Sequence, residues 1–295
     1  MLYLSLTAVY GALLSIMNTM NAQLSELYGN WASTVMIHAV GLIVLLPFAF
    51  TWGRPRGRAK WYQFLGGPIG ILSVVFVNIG VTGIGVTGNL VLMMLGQVAC
   101  SAVLDQFALL GAKKTAMNIG KAVAIVLMAA GCGAMLLLSG EGLGRGSAIA
   151  ALVSFLSGCT MVFARMANAS LATKCGVGFS TVMNYVTGLA GSFLVFLCLG
   201  LPMATAFPAA GQPLWVYLGG AVGAVGIFLC NVVTPRLPVL QMSLVVFVGQ
   251  LFTGMVIDAA MGRFSLGTLV GGAIVAAGML VNILADRRAA AKGAA

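Results

Sequence analysis

Charge is what this chain has least of. Charged residues fill 7% of its 295 positions and hydrophobic ones 61%, with fifteen basic residues, five acidic ones and a single histidine. A soluble globule carries about 25% charged residues, so a soluble enzyme is excluded, and so is a disordered or collagen-like chain. Acid is scarcest. Glu26, Asp105, Glu141, Asp258 and Asp286 are the full set, and each falls at the end of an apolar run or between two runs. The six cysteines (Cys100, Cys132, Cys159, Cys175, Cys198, Cys230) form no CxxC pair. They read as small embedded hydrophobes, not as a disulfide or metal framework. The phosphate-cradling pattern G-x-x-x-x-G-K-[ST] is missing, which argues against ATP-driven work within this chain. No nucleophile–base pair and no metal-ligand cluster stands at catalytic spacing, so neither an enzyme nor a cofactor is expected. The net charge of +10 is no nucleic-acid signal, because the basic residues are scattered between apolar stretches.

What the chain has instead is hydrophobic length. A helix needs about 20 apolar residues to cross a bilayer, and such stretches recur from end to end. Hydropathy predicts ten helices, at roughly 2–24, 31–51, 63–84, 86–104, 116–138, 147–166, 179–200, 214–233, 239–257 and 266–284, each boundary uncertain by about 2–4 residues. The boundary between the third and fourth is the weakest, since Gly80, Gly83, Gly85 and Gly88 leave almost no polar loop. The first helix has no charged leader and no small-residue cleavage site, and reads as a retained span. Alternate connections carry the basic residues very unevenly. Thirteen fall on the side of the N-terminus, among them Arg54, Arg56, Arg58, Lys60, Lys113 and Lys114, and only Arg145 and Arg263 fall on the other. The expectation is a multi-pass membrane protein with both termini cytoplasmic.

The sequence also repeats itself. Residues 21–42 align without gaps to 168–189, an offset of 147, and the run Ser33-Thr34-Val35-Met36 returns as Ser180 to Met183. Residues 64–105 align to 217–258, an offset of 153, pairing Leu65-Gly-Gly with Leu218-Gly-Gly, Asn78 with Asn231, Gln97 with Gln250 and Asp105 with Asp258. The expected organisation is all-α: a first five-helix repeat at 1–139, a second at 147–288 and a short cytoplasmic tail at 289–295. An odd helix count inverts the second copy in the bilayer, the arrangement of secondary transporters that work by alternating access.

On these motifs the chain resembles the drug/metabolite transporter superfamily. Asn21-Ala22, the aromatic lead into Leu-Gly-Gly-x-x-Gly, Pro235-Arg236-Leu237, and Gly-Gln followed eight residues after the Gln by Asp are similar to a bacterial, YdcZ-like branch. That branch has been catalogued as a domain of unknown function. It is often encoded as a single five-helix protein, and this chain looks like its fused form. The first half departs from the pattern, with Thr82-Gly83-Ile84 where the second has Pro235-Arg236-Leu237. The resemblance implies a metabolite or drug carrier of a bacterial inner membrane and no particular substrate.

Polar residues within spans are the functional suspects. Gln97 and Gln250 sit near the middle of the fourth and ninth spans and are the first candidates for a solute site, with Asn78 and Asn231 beside them; joining helices through amide hydrogen bonds is the competing role. Asp105 and Asp258 end those spans and are candidate gates, with Lys113 or Lys114 a partner for the first and Arg263 for the second, against the plainer reading of wet helix-end carboxylates. Asn18 aligns with Arg165, whose long stem can reach water at the cytoplasmic face or, pointing inward, favour an anionic or zwitterionic solute. His38, matched by Tyr185, is either a proton carrier or a neutral hydrogen-bonding group. With no carboxylate in the middle of a span, the balance tips to a small neutral, zwitterionic or anionic solute over organic cations or drugs. A non-transporting membrane subunit is the reading from another class; short connections count against it, and sparse polar residues count against a channel. The expected partners are a small-molecule substrate and the lipid bilayer, in a monomer or homodimer, with no nucleic acid.

Overall fold

In apolar surroundings a backbone must satisfy its own hydrogen bonds, and a helix does so within one segment. A computed structural model describes residues 2–52, 57–112, 117–138, 148–208, 211–260, 262 and 266–293, and among them every regular element is helical. The α-helices are α1 (Leu2–Tyr28), α2 (Asn30–Trp52), α3 (Gly66–Phe107), α4 (Ile119–Leu138), α5 (Ala148–Cys175), α6 (Val177–Cys198), α7 (Gly219–Val233), α8 (Val239–Ala260) and α9 (Leu266–Gly293). Seven helical stretches of the described residues are long and apolar enough to cross a membrane. Three shorter apolar ones, Trp61–Val77, Ile119–Met135 and Leu269–Ala285, accompany them.

The expected third and fourth spans lie in one helical run, α3, and not in two separate helices. The run is bent. A Cβ built on Gly80 would lie 3.1 Å from Asn89 Cγ, whereas nine residues of straight helix advance about 13.5 Å. The chain therefore turns back between 80 and 89 without leaving helical hydrogen bonding. The corresponding corner of the second half carries Pro235 and Pro238, which lack the N–H a helix requires, and there α7 and α8 are separate elements.

Sequence repetition becomes geometric repetition. Gly29 and Gly176, repeat mates, join α1 to α2 and α5 to α6 with φ of +75° and +101°, a region open to glycine and costly for other residues. The bonds around them are the same bonds: Gly29 N–H to Ser25 O at 2.8 Å and Gly176 N–H to Ala172 O at 2.9 Å.

The chain forms two compact units, each drawing on both sequence halves: residues 1–12, 75–162 and 237–295 make one, and 13–74 and 163–236 the other. The first unit packs Val91, Met94 and Val98 of α3 with Leu240, Leu244 and Phe247 of α8, closed over by Met128 of α4 and Val275 of α9. Its helices touch at glycines. A Cβ on Gly158 would lie 2.7 Å from Gln97 N, and one on its mate Gly11 would lie 3.1 Å from Gln250 N. A Cβ on Gly96 would lie 3.4 Å from Gly158 Cα, and one on its mate Gly249 would lie 3.2 Å from Gly11 Cα.

The second unit, with Leu45, Val182, Tyr185 and Ala224 in one of its apolar clusters, repeats the theme. A Cβ on Gly67 would approach Gly188 N to 2.6 Å, and one on its mate Gly220 would approach Gly41 N to 2.9 Å. A Cβ on Gly66 would meet Asn168, and one on Gly219 would meet Asn21, the mate of Asn168. In both units each contact occurs twice with the halves exchanged, the pattern a local two-fold axis produces.

Candidate functional site

The first unit holds the glutamines and Asp105. Gln97, on the second limb of α3, is 7% exposed and points its Nε2 at the Met161 sulfur, 3.9 Å away. One turn on, Ser101 bonds its hydroxyl to the Gln97 carbonyl and shares a 2.8 Å hydroxyl–hydroxyl bond with Ser243 of α8. Gln250 is equally buried on α8. Among the described residues its side-chain amide has no hydrogen-bond partner, so it is the glutamine whose donors and acceptor remain open.

Asp105 is 2% exposed. Its two carboxylate oxygens accept hydrogen bonds from the backbone N–H groups of Val239 and Leu240, each at 2.8 Å. The first turn of a helix leaves such donors unpaired and carries a partial positive charge, so this carboxylate caps α8 across the helix pair. Of the partners expected for the two aspartates, Lys113, Lys114 and Arg263 lie outside the described residues, as do the side chains of Asn78 and Asp258.

The second unit holds the remaining candidates. The His38 and Tyr185 rings lie 5.7 Å apart and tilted at 59°. His38 Nδ1 is 2.8 Å from the Thr34 carbonyl oxygen, which can only accept; Nδ1 therefore carries the hydrogen, and in the neutral ring Nε2 keeps its lone pair. Tyr185 donates its hydroxyl to the Gly220 carbonyl at 3.0 Å, so its polar end is committed to the backbone. Asn231 donates to Thr181 Oγ1 at 3.1 Å and more weakly to Ser180 Oγ at 3.4 Å, while its own Oδ1 is buried without a partner. Ser180 in turn donates to the Asn168 carbonyl, and Asn168 Nδ2 to Asn184 Oδ1 at 2.8 Å, which ties α5, α6 and α7 into one polar seam. Arg165 of α5 is 8% exposed, drawn inside and not extended to water. Asn18, its repeat mate on α1, is exposed.

The candidates thus fall into two groups: Gln97, Gln250 and Asp105 in the first unit, and Asn231, Asn18, Tyr185, His38 and Arg165 in the second. Sequence reasoning passed over Asn89 and Asn282. Asn89 Oδ1 is buried and unpartnered, and Asn282 is fully buried with neither amide atom bonded. A lone Asn in an apolar run was the available signal for Asn282. Asn89 sits in the glycine-rich corner that obscured the span boundary. Among the described residues no group of three or more His, Cys, Asp or Glu side chains is placed to hold a metal ion.

A family model described as "Putative inner membrane exporter, YdcZ" matches this chain twice, over residues 2–134 and 149–281. No curated protein matches. Among solved structures, one described only as a crystal structure of a protein superposes with a TM-score of 0.70 at 16% identity, covering 97% of this chain and 98% of its own. At that identity the likeness is one of fold.

Proposed function

This chain belongs to the YdcZ family of the drug/metabolite transporters, and from that premise we propose that it is a secondary carrier of a small polar solute, neutral, zwitterionic or anionic, working by alternating access. It crosses the membrane ten times, as two five-helix repeats at 1–139 and 147–288 with both termini cytoplasmic, and export is the direction its family suggests. The observation that carries this reading is the exchange of contacts between mates: Gly158 against Gln97 and Gly11 against Gln250, Gly67 against Gly188 and Gly220 against Gly41. With five spans in each half, the axis relating them lies in the membrane plane, and rocking about it opens one side as it closes the other. Gln97 and Gln250 supply uncharged hydrogen-bonding groups to the solute within the first unit, Asn231 offers such a group within the second, and Asp105 fastens α3 to α8 when one side is shut. Asn78 and Asp258 hold the mate positions of Asn231 and Asp105 and take the same parts at the other side.

The test is a thermal-shift screen of the purified protein against amino acids, sugars, nucleosides, organic acids and quaternary amines, followed by counterflow in proteoliposomes with any hit. A solute binding only the folded protein raises stability by about 2.7 kcal/mol at a hundredfold excess over Kd. Gln97→Ala and Gln250→Ala should each lower flux at least several-fold at unchanged membrane expression. Wild-type flux in both would assign these amides to packing.

A further inference from the structure

On sequence the six cysteines are separate small hydrophobes; the fold brings two of them together. Cys100, on the second limb of α3, and Cys159, on α5, belong to the same compact unit. Their thiols share a side-chain hydrogen bond. Each also reaches the backbone of the other helix. Cys100 Sγ lies 4.0 Å from the Cys159 carbonyl oxygen, and Cys159 Sγ lies 3.6 Å from the carbonyl oxygen of Gly96, one turn before Cys100. Both are free thiols and partly exposed, whereas Cys132, Cys175 and Cys230 are buried.

Glycine is what lets them meet. A Cβ on Gly96 would lie 2.9 Å from the Phe155 carbonyl carbon, and one on Gly158 would lie 2.9 Å from that of Met93, so the two backbones touch with no side chain between them. A disulfide joins Cα atoms about 4.4–6.8 Å apart and Cβ atoms about 3.5–4.5 Å apart. Thiols already in contact beside such a crossing lie within that reach without a shift of either helix. The repeat itself does not call for sulfur here. The mates of Cys100 and Cys159 are Thr253 and Ala12, beside the crossing where Gly11 meets Gly249. The same close approach is thus made there with no thiol.

The pair also flanks a candidate solute group. Gln97 stands three residues before Cys100, and its Nε2 lies 3.9 Å from the sulfur of Met161, two residues after Cys159. A bond from residue 100 to residue 159 fixes the two helices between which this amide sits.

We propose that Cys100 and Cys159 are a redox-modified pair, oxidised by a hydroperoxide to a disulfide that clamps α3 to α5 beside Gln97 and reopened by thiol reductants. With hydrogen peroxide, one sulfur attacks a peroxide oxygen, the O–O bond breaks, water leaves and a sulfenic acid forms. The second thiol attacks that sulfur, the S–S bond forms, and the hydroxyl leaves with the remaining thiol proton as a second water. The two sulfurs give up two electrons and the peroxide takes them. Reduction consumes two external thiols, which leave as their own disulfide. On the topology proposed above, both cysteines lie toward the cytoplasmic ends of their helices. Thiols on that side are held reduced and disulfides there are transient, so the dithiol is the resting form. The bridge stands apart from the carrier reading; its effect on flux rests on that reading.

The test treats the full-length protein in membrane vesicles with hydrogen peroxide, blocks the remaining thiols with N-ethylmaleimide and reads the peptides by mass. Most of the Cys100 and Cys159 signal should move into one linked peptide pair that dithiothreitol releases, while Cys132, Cys175, Cys198 and Cys230 stay unlinked. Absence of the linked pair with both peroxide and diamide would overturn the proposal, and so would equal linkage to the other cysteines. In proteoliposomes the bridged protein should carry the solute found by counterflow at least several-fold more slowly. Dithiothreitol should restore the rate, and Cys100→Ala or Cys159→Ala should make it insensitive to peroxide. An unchanged rate in the bridged protein would overturn the clamping of Gln97. A protein that bridges but carries no solute in either redox state would remove the carrier reading and leave the modification site in place.

Discussion

The carboxylate of Asp105 is held by two peptide N–H groups that begin a helix more than a hundred residues further along the chain. Hydrogen bonds to a charged group are worth about 1.5–3 kcal/mol each, and a buried donor left unmade costs about as much again. Asp105→Ala should therefore lower the unfolding temperature in detergent clearly, and Asp105→Asn, which keeps one acceptor oxygen, should lower it less. An Asp105→Ala protein as stable as wild type would show that the carboxylate does not hold α8. The aspartate was legible as a candidate because it recurs at a fixed distance after Gln97 and Gln250. Its acceptor role was not. Peptide groups carry no side-chain signature, and only tertiary structure brings Val239 to it. Arg165 shows the same limit: its place on a span was plain, but whether the stem reached outward or inward depended on which face of α5 its neighbours cover.

Helices meet in this molecule where glycine removes the side chain, yet the G-x-x-x-G spacing alone does not say which glycine matters. In the pair Gly66 and Gly70, a Cβ on the first would strike Asn168, and a Cβ on the second would find nothing within 4 Å. Gly70→Ala should thus be neutral or slightly stabilising, since alanine favours a helix over glycine by up to about 1 kcal/mol. Gly158→Ala should cost about 1–3 kcal/mol, as overpacking does, because its Cβ would press on backbone atoms of α3, among them Gln97 N at 2.7 Å. Melting temperatures of the two variants decide this; a tolerated Gly158→Ala would mean that α3 and α5 can part freely there. Nearly all the helices were legible from apolar length. The exception, the run through Thr82-Gly83-Ile84, was obscure for a physical reason: glycines allow a corner without forcing the backbone out of helical bonding, and prolines in the second half force it.

At the scale of the whole molecule, neither compact unit coincides with a sequence half. Repetition in the sequence was enough to predict two similar halves, but not that their helices would be shared out so that each unit takes pieces of both. Residues 1–139 and 147–295, produced as two separate polypeptides in one cell, should therefore co-purify in detergent through an affinity tag on either one. Recovery of the tagged fragment alone would mean that the connecting segment is needed to assemble them.

The exchanged glycine contacts have a last consequence. At these glycines, where a residue of one half meets a residue of the other, the mates meet in reverse, and this is the signature of an isologous dimer whose subunits have been tied end to end. Each half carries both the lock and the key. A single half made alone would thus display both members of each exchanged glycine contact, so a second copy of itself is a ready partner.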